Sequence, residues 1–118
     1  MKLFAIIFSS VVFLNAKSCG DKNGNAVPSC IAQMIADYQS KPVQNPPAAI
    51  YQYQYNHQTV YYVVAPCCDQ WSTLYDSACQ IVCHPDGGIT GKGDGKCSDF
   101  NSTKTGEKLI WKDDRVSK

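Results

Sequence analysis

Seven cysteines in a chain of 118 residues constrain this fold more than any other feature. All seven lie beyond an apolar N-terminal run, Leu3 to Leu14, that follows a single Lys2. That run is shorter than the roughly 20 residues a helix needs to cross a bilayer. A basic start and a short apolar stretch fit a signal peptide over residues 1–16. A short, cysteine-rich exported chain is expected to be stapled by disulfides. Cys30, Cys67, Cys68, Cys79, Cys83 and Cys97 are the candidates, and six cysteines allow fifteen full pairings. Cys67 and Cys68 are adjacent, so they point to opposite sides of an extended chain. They are expected to staple in two directions, one towards Cys79 or Cys83 and one towards Cys30 or Cys97. Each bridge would contribute about 2–4 kcal/mol.

Two fates of the leader are open. Cleavage after Ala16 would free the protein. Alternatively, Ala16-Lys17-Ser18-Cys19 is a weak lipobox, and Cys19 is the candidate lipidation site. Lipidated Cys19 would leave an even number of cysteines. Residues 17–27 then read as a polar tether. With Lys2 removed, ten basic residues face ten acidic ones. That balance argues against electrostatic recognition of nucleic acid or of an anionic membrane. Contact with a membrane is expected only through a lipid anchor.

A single α+β domain is expected over residues 28–113, with a polar tail at 114–118. Ser29 is placed to cap a helix, because Cys30, Ile31, Met34, Ile35 and Tyr38 recur at helical spacing. Lys41-Pro42 ends it, since a residue before proline avoids helical angles. The next stretch alternates. A two-residue turn at Asn56-His57 pairs Tyr55 with Gln58, Tyr53 with Val60, Tyr51 with Tyr62 and Ala49 with Val64. One face then carries Ala49, Tyr51, Tyr53, Tyr55, Val60, Tyr62 and Val64 and is expected to take the helix. The other carries Ile50, Gln52, Gln54, Thr59, Tyr61 and Val63 and is expected to be partly wet. A second hairpin runs from Leu74 to Cys83 about Ser77-Ala78. Pro85 to Gly95 holds five glycines and reads as a loop. Lys108 to Trp111 is the last strand. The expectation is one N-terminal helix packed on a small antiparallel β-meander.

Several of these segments form a recognisable pattern. Tyr53-x-Tyr55, Cys67-Cys68-Asp69-Gln70, Leu74-Tyr75-Asp76 and the block Pro85-Asp86-Gly87-Gly88-x-x-Gly91-x-Gly93-Asp94-Gly95-x-Cys97-x-Asp99-Phe100 occur together. The chain thereby resembles an uncharacterised family of small exported bacterial domains, often lipid-anchored. The resemblance covers about residues 28–113 and implies an envelope location without implying an activity. Its members often carry proline where Ser98 stands here.

Chemistry-bearing residues are few. Cys79, Cys83 and His84 with Cys67-Cys68 have the donor types for zinc, but an oxidising compartment favours disulfides. A Cys83-His84 nucleophile pair needs a free thiol. Asp86, Asp94 and Asp99 are the weak calcium candidates. Aspartates beside glycines ordinarily bond their own turn backbone, so a structural role is expected and no metal or other cofactor. Tyr61 on the second face and Trp71 in the adjoining loop form a candidate binding patch, unless the segment around Trp111 covers it. The chain is thus expected to be an exported envelope protein, in the periplasm, on the outer-membrane surface or secreted. It is read as a non-enzymatic binding or structural module with an envelope or extracellular protein as partner. The alternatives are a secreted cystatin-like inhibitor presenting Pro66–Trp71, by fold analogy alone, or a small hydrolase.

Overall fold

The computed structural model describes residues 27–67 and 69–116. The leader, Cys19, most of the tether and Cys68 lie outside the described residues. Helix α1 spans Ser29–Ser40. Its cap is Pro28, not Ser29, and no side chain caps it. The Pro28 carbonyl instead accepts the amides of Ile31 and Ala32 at 3.0 and 3.1 Å. Proline suits this boundary because its fixed φ leads into the helix. Lys41, held extended ahead of Pro42, ends α1 as expected.

Strands β1 (Ala49–Tyr55) and β2 (Gln58–Val63) form the hairpin in the expected register, from Tyr55 opposite Gln58 to Tyr51 opposite Tyr62. The amide of Val64 then donates to the Ala49 carbonyl at 3.1 Å. Asn56 and His57 turn the chain at φ 47° and 62°, the positive values that a two-residue type I′ turn demands. Strands β3 (Thr73–Asp76) and β4 (Ile81–Cys83) form the second hairpin. A short helix α2 (Phe100–Thr103), not apparent in the sequence pattern, leads into β5 (Thr105–Lys112). The antiparallel sheet has the order β4-β3-β2-β1-β5. Its first four strands are a meander, and β5 returns to the free side of β1.

The two faces of the hairpin are exchanged relative to expectation. Helix α1 packs on the second face, where Ile31 joins Ile50, Tyr61 and Val63, with Met34, Ile35 and Tyr38 around them. The tyrosine-rich first face packs instead beneath the glycine loop and α2. There Tyr53, Tyr55, Val60 and Leu74 gather on Cys83, Cys97 and Phe100. The first face gathers three phenols, Tyr53, Tyr55 and Tyr62, and each finds a carboxylate there. Asp99 and Asp86 come from the loop layer and Glu107 from β5. The second face brings the one phenol of Tyr61 under α1. Phe100 is fully buried between the rings of Tyr55, Tyr53 and Tyr62, with centroids at 5.3, 5.6 and 5.8 Å.

Each covering layer is covalently fastened. Cys30 in the first turn of α1 bridges Cys79 in the β3–β4 turn, with Cα atoms 5.9 Å apart. Cys83 at the end of β4 bridges Cys97 beyond the glycine loop, at 6.2 Å. Cys67 is disulfide-bonded as well. The expected route from Cys67 to Cys79, Cys83, Cys30 or Cys97 is therefore wrong, because those four pair among themselves. Among the described residues no helix is long and apolar enough to cross a membrane.

Candidate functional site

Beyond the C-terminal end of β2, two loops meet to form one end of the molecule. The segment from Val64 to Ser72 leaves the sheet and returns to β3. Buried Ser72 anchors it, accepting the Ala65 amide at 3.1 Å and lying 3.2 Å from the Tyr62 hydroxyl. The glycine loop packs alongside through backbone bonds. Ser72 donates to the Asp86 carbonyl at 3.1 Å, and Gly88 donates to that of Gln70 at 3.2 Å. Within the loop Gly93 donates to Gly87 and Asp94 to His84, at 3.1 and 2.9 Å. The loop is thus ordered, as a segment bracketed by Cys83 and Cys97 is expected to be.

This framework presents two apolar side chains. Trp71 is half-exposed, and Ile89 at the loop tip is 94% exposed. A Cβ on Gly88 would fall on the indole of Trp71, so the tryptophan lies directly against loop backbone. On one side of Trp71 is a concavity of about 360 Å³, lined by Asp69, Gly88, Ile89, Thr90 and Gly93. On the other is a groove of about 380 Å³ against α1, framed by Met34, Tyr38, Lys41, Pro66 and Tyr75.

His84 lies beneath Trp71, with ring centroids 4.9 Å apart. Its Nδ1 is 3.1 Å from the Ser72 carbonyl and 3.2 Å from Thr73 Oγ1. A carbonyl can only accept, so we assign the proton to Nδ1. That nitrogen cannot then take a proton from Thr73. Cys83 is bridged to Cys97, so the Cys83-His84 pair has no free thiol. Likewise Cys79 and Cys83 are committed to different disulfides and not to zinc.

The aspartates do not act together. Asp94 bonds loop backbone, accepting the amides of Lys96 and His84 at 3.0 and 3.1 Å. The Lys96 amide, and then that of His84, holds its carboxyl below the ordinary range. Asp86 instead accepts the Tyr62 phenol, and Asp99 accepts the Tyr55 phenol, each at 2.7 Å. Among the described residues no three His, Cys, Asp or Glu side chains gather as metal ligands would.

Tyr61 does not join Trp71. It is 5% exposed beneath α1 and so cannot form a surface patch; the apolar side chain exposed beside Trp71 is Ile89. The covering element is α1, whereas the segment around Trp111 lies in the sheet and stacks on Tyr38. One sequence signal pointed to Ile89: it is the one large apolar residue in an otherwise polar, glycine-rich loop.

A family model matches residues 36–113, and its description, a domain of unknown function, assigns no activity. No curated protein and no solved structure matches the chain.

Proposed function

The chain belongs to DUF6970, a domain of unknown function, and from that premise we propose that it is an exported, non-enzymatic binding module that engages a protein partner through Trp71 and Ile89. The observation that carries this reading is the exposure of Ile89 on an ordered loop beside Trp71. An isoleucine held in water at the tip of a fixed loop gives up burial worth about 1.5–3 kcal/mol. Binding recovers that energy with little ordering cost when the loop is already fixed. Aromatic anchors beside apolar ones are common at the centres of interfaces.

Two disulfides point to an oxidising, extracytoplasmic location. We place export under the leader at residues 1–16, and the intact mass of the mature protein distinguishes cleavage after Ala16 from acylation at Cys19. The imidazole of His84 supports Trp71 from beneath.

Photocrosslinking in the producing cell tests the partner surface. A photoreactive residue at position 89 is expected to yield a discrete protein adduct that Trp71→Ser abolishes. The same residue at exposed Ser77 should yield none. Equal adducts at both positions, or adducts insensitive to Trp71→Ser, would overturn the proposal.

A further inference from the structure

At the other end of β2, the β1–β2 turn carries a backbone cost that folding does not require. A type I′ turn needs positive φ at both central residues, and glycine is the favoured residue at the second. Here that position is His57, at φ 62°. A side chain in the left-handed region costs stability, and such positions cluster where ligands bind. His57 also lines a concavity of about 360 Å³, together with Gln54, Tyr55, Asn56, Thr103 and Thr105. Three elements converge there: the hairpin tip, the end of α2 and the start of β5.

We propose that this concavity is a binding site for a neutral, polyhydroxylated ligand, a carbohydrate by chemical class. Its lining has no carboxylate and no ammonium or guanidinium group. It does hold two amides, an imidazole and the hydroxyls of Thr103 and Thr105, which together both donate and accept hydrogen bonds, while the Tyr55 hydroxyl is already given to Asp99. Sugar hydroxyls do the same. Gln54 is already oriented, its Nε2 donating to Thr59 Oγ1 at 2.8 Å, which leaves its oxygen free to accept. The Thr103 hydroxyl donates to the Asp99 carbonyl at 2.9 Å and keeps its lone pairs for a ligand donor. His57 is exposed and makes the site at a cost to its own turn. This site lies apart from Trp71 and does not depend on the partner surface proposed there.

Titration of the full mature chain with maltotriose and with chitotriose, followed by amide chemical shifts, tests the assignment. At least one of them is expected to perturb residues 54–57 and 103–105 at millimolar concentration, leaving the amides of residues 86–91 unmoved. Glucuronate and glucosamine, which carry charge, should bind more weakly. His57→Gly is the decisive variant. It should raise the melting temperature, because glycine accepts the turn, and weaken binding about tenfold or more. Thr105→Val, which removes a hydroxyl and leaves the turn intact, should also weaken binding. Unchanged affinity in His57→Gly, or no perturbation at these residues by either trisaccharide up to tens of millimolar, would overturn the proposal.

Discussion

Tyr53, Tyr55 and Tyr62 each donate to a carboxylate: Glu107 at 2.6 Å, and Asp99 and Asp86 each at 2.7 Å. The bonds to Asp99 and Asp86 join the sheet to the layer above it, the bond to Glu107 ties β1 to β5 within the sheet, and Lys104 adds its ammonium 4.7 Å from the Tyr53 ring centre. Burial, and then the Asp86 carboxylate, push the Tyr62 phenol up from 10.0 to about 12. Burial and Glu107 raise Tyr53 further, and the bond to Asp99 raises Tyr55. A phenol raised in the folded state contributes stability that is complete below its unfolded value and is lost as pH rises through the folded value. The melting temperature is therefore expected to fall steeply between about pH 10 and about pH 12, and Tyr62→Phe should flatten that fall. An unchanged slope in the variant would remove Tyr62 from the account. A second residue-scale prediction concerns the loop. Gly93 has φ +65°, and a Cβ there would strike the His84 carbonyl and approach the Asp86 amide to 2.8 Å. Gly91 has φ +71° with nothing within 4 Å. Gly91→Ala should cost about 1–2 kcal/mol, the ordinary left-handed penalty. Gly93→Ala should cost about twice that or more, because backbone must also move. Urea titration of both variants gives the comparison.

The hairpin was legible to the residue, because alternation and a two-residue Asn-His turn leave one register in which the patterns agree. Which face took the helix was not legible. Both faces contain apolar residues, and hydrophobic patterning does not register that the three phenols of one face have carboxylate partners waiting in the loop layer and β5. The helix end shows a different gap. Residues 114–118 read as a polar tail, yet Arg115 donates to the carbonyls of Tyr38, Gln39 and Lys41 at 3.0, 3.0 and 3.1 Å. It thereby caps α1 from 74 or more positions away in the chain. Asp113, buried beside it, takes two further bonds from the same guanidinium at 2.9 and 2.7 Å. No local pattern announces a cap delivered over such a distance. Asp113 is held below the ordinary carboxylate range by Arg115, so this clamp is complete at neutral pH and is lost as acid protonates Asp113. Arg115→Ala should destabilise the protein at pH 7, because it takes the guanidinium from the Gln39 and Lys41 carbonyls, leaves that of Tyr38 to the Lys41 amide alone, and strips a buried carboxylate of its cation. Amide exchange should then rise in the last turn of α1 while β1 and β2 stay protected. Uniform acceleration across the sheet would mean that the clamp supports the whole fold, not the helix end.

As a whole, the molecule is a sheet with two covers, each fastened by one disulfide. A disulfide-stapled α+β domain was legible in the cysteine count and in the helix followed by alternating strands, and its disulfides hint at an oxidising location. The pairing was not, because it depends on which cover lies on which face, and the Trp71 end was legible only in part because Ile89 stands in a loop whose path the glycines leave open. This arrangement separates the roles of the bridges. Cys30–Cys79 closes 49 residues and holds α1 over Ile50, Tyr61 and Val63. Cys83–Cys97 closes 14 and holds the glycine loop beside Trp71. Loop-closure entropy alone gives a contribution of about 4 kcal/mol for the first and about 3 kcal/mol for the second. Replacing both partners by serine should therefore cost slightly more stability at the helix than at the loop, as read by urea titration. The functional order should be reversed. Without Cys30–Cys79 the helix loosens, an apolar dye gains access to the face beneath it, and photocrosslinking from position 89 persists in molecules that remain folded. Without Cys83–Cys97 the dye gains less, but Ile89 is no longer held beside Trp71, and the crosslink should weaken even at temperatures where the variant is fully folded. Retention of the full crosslink in the loop variant would mean that the Trp71 end does not need its fixed geometry to bind.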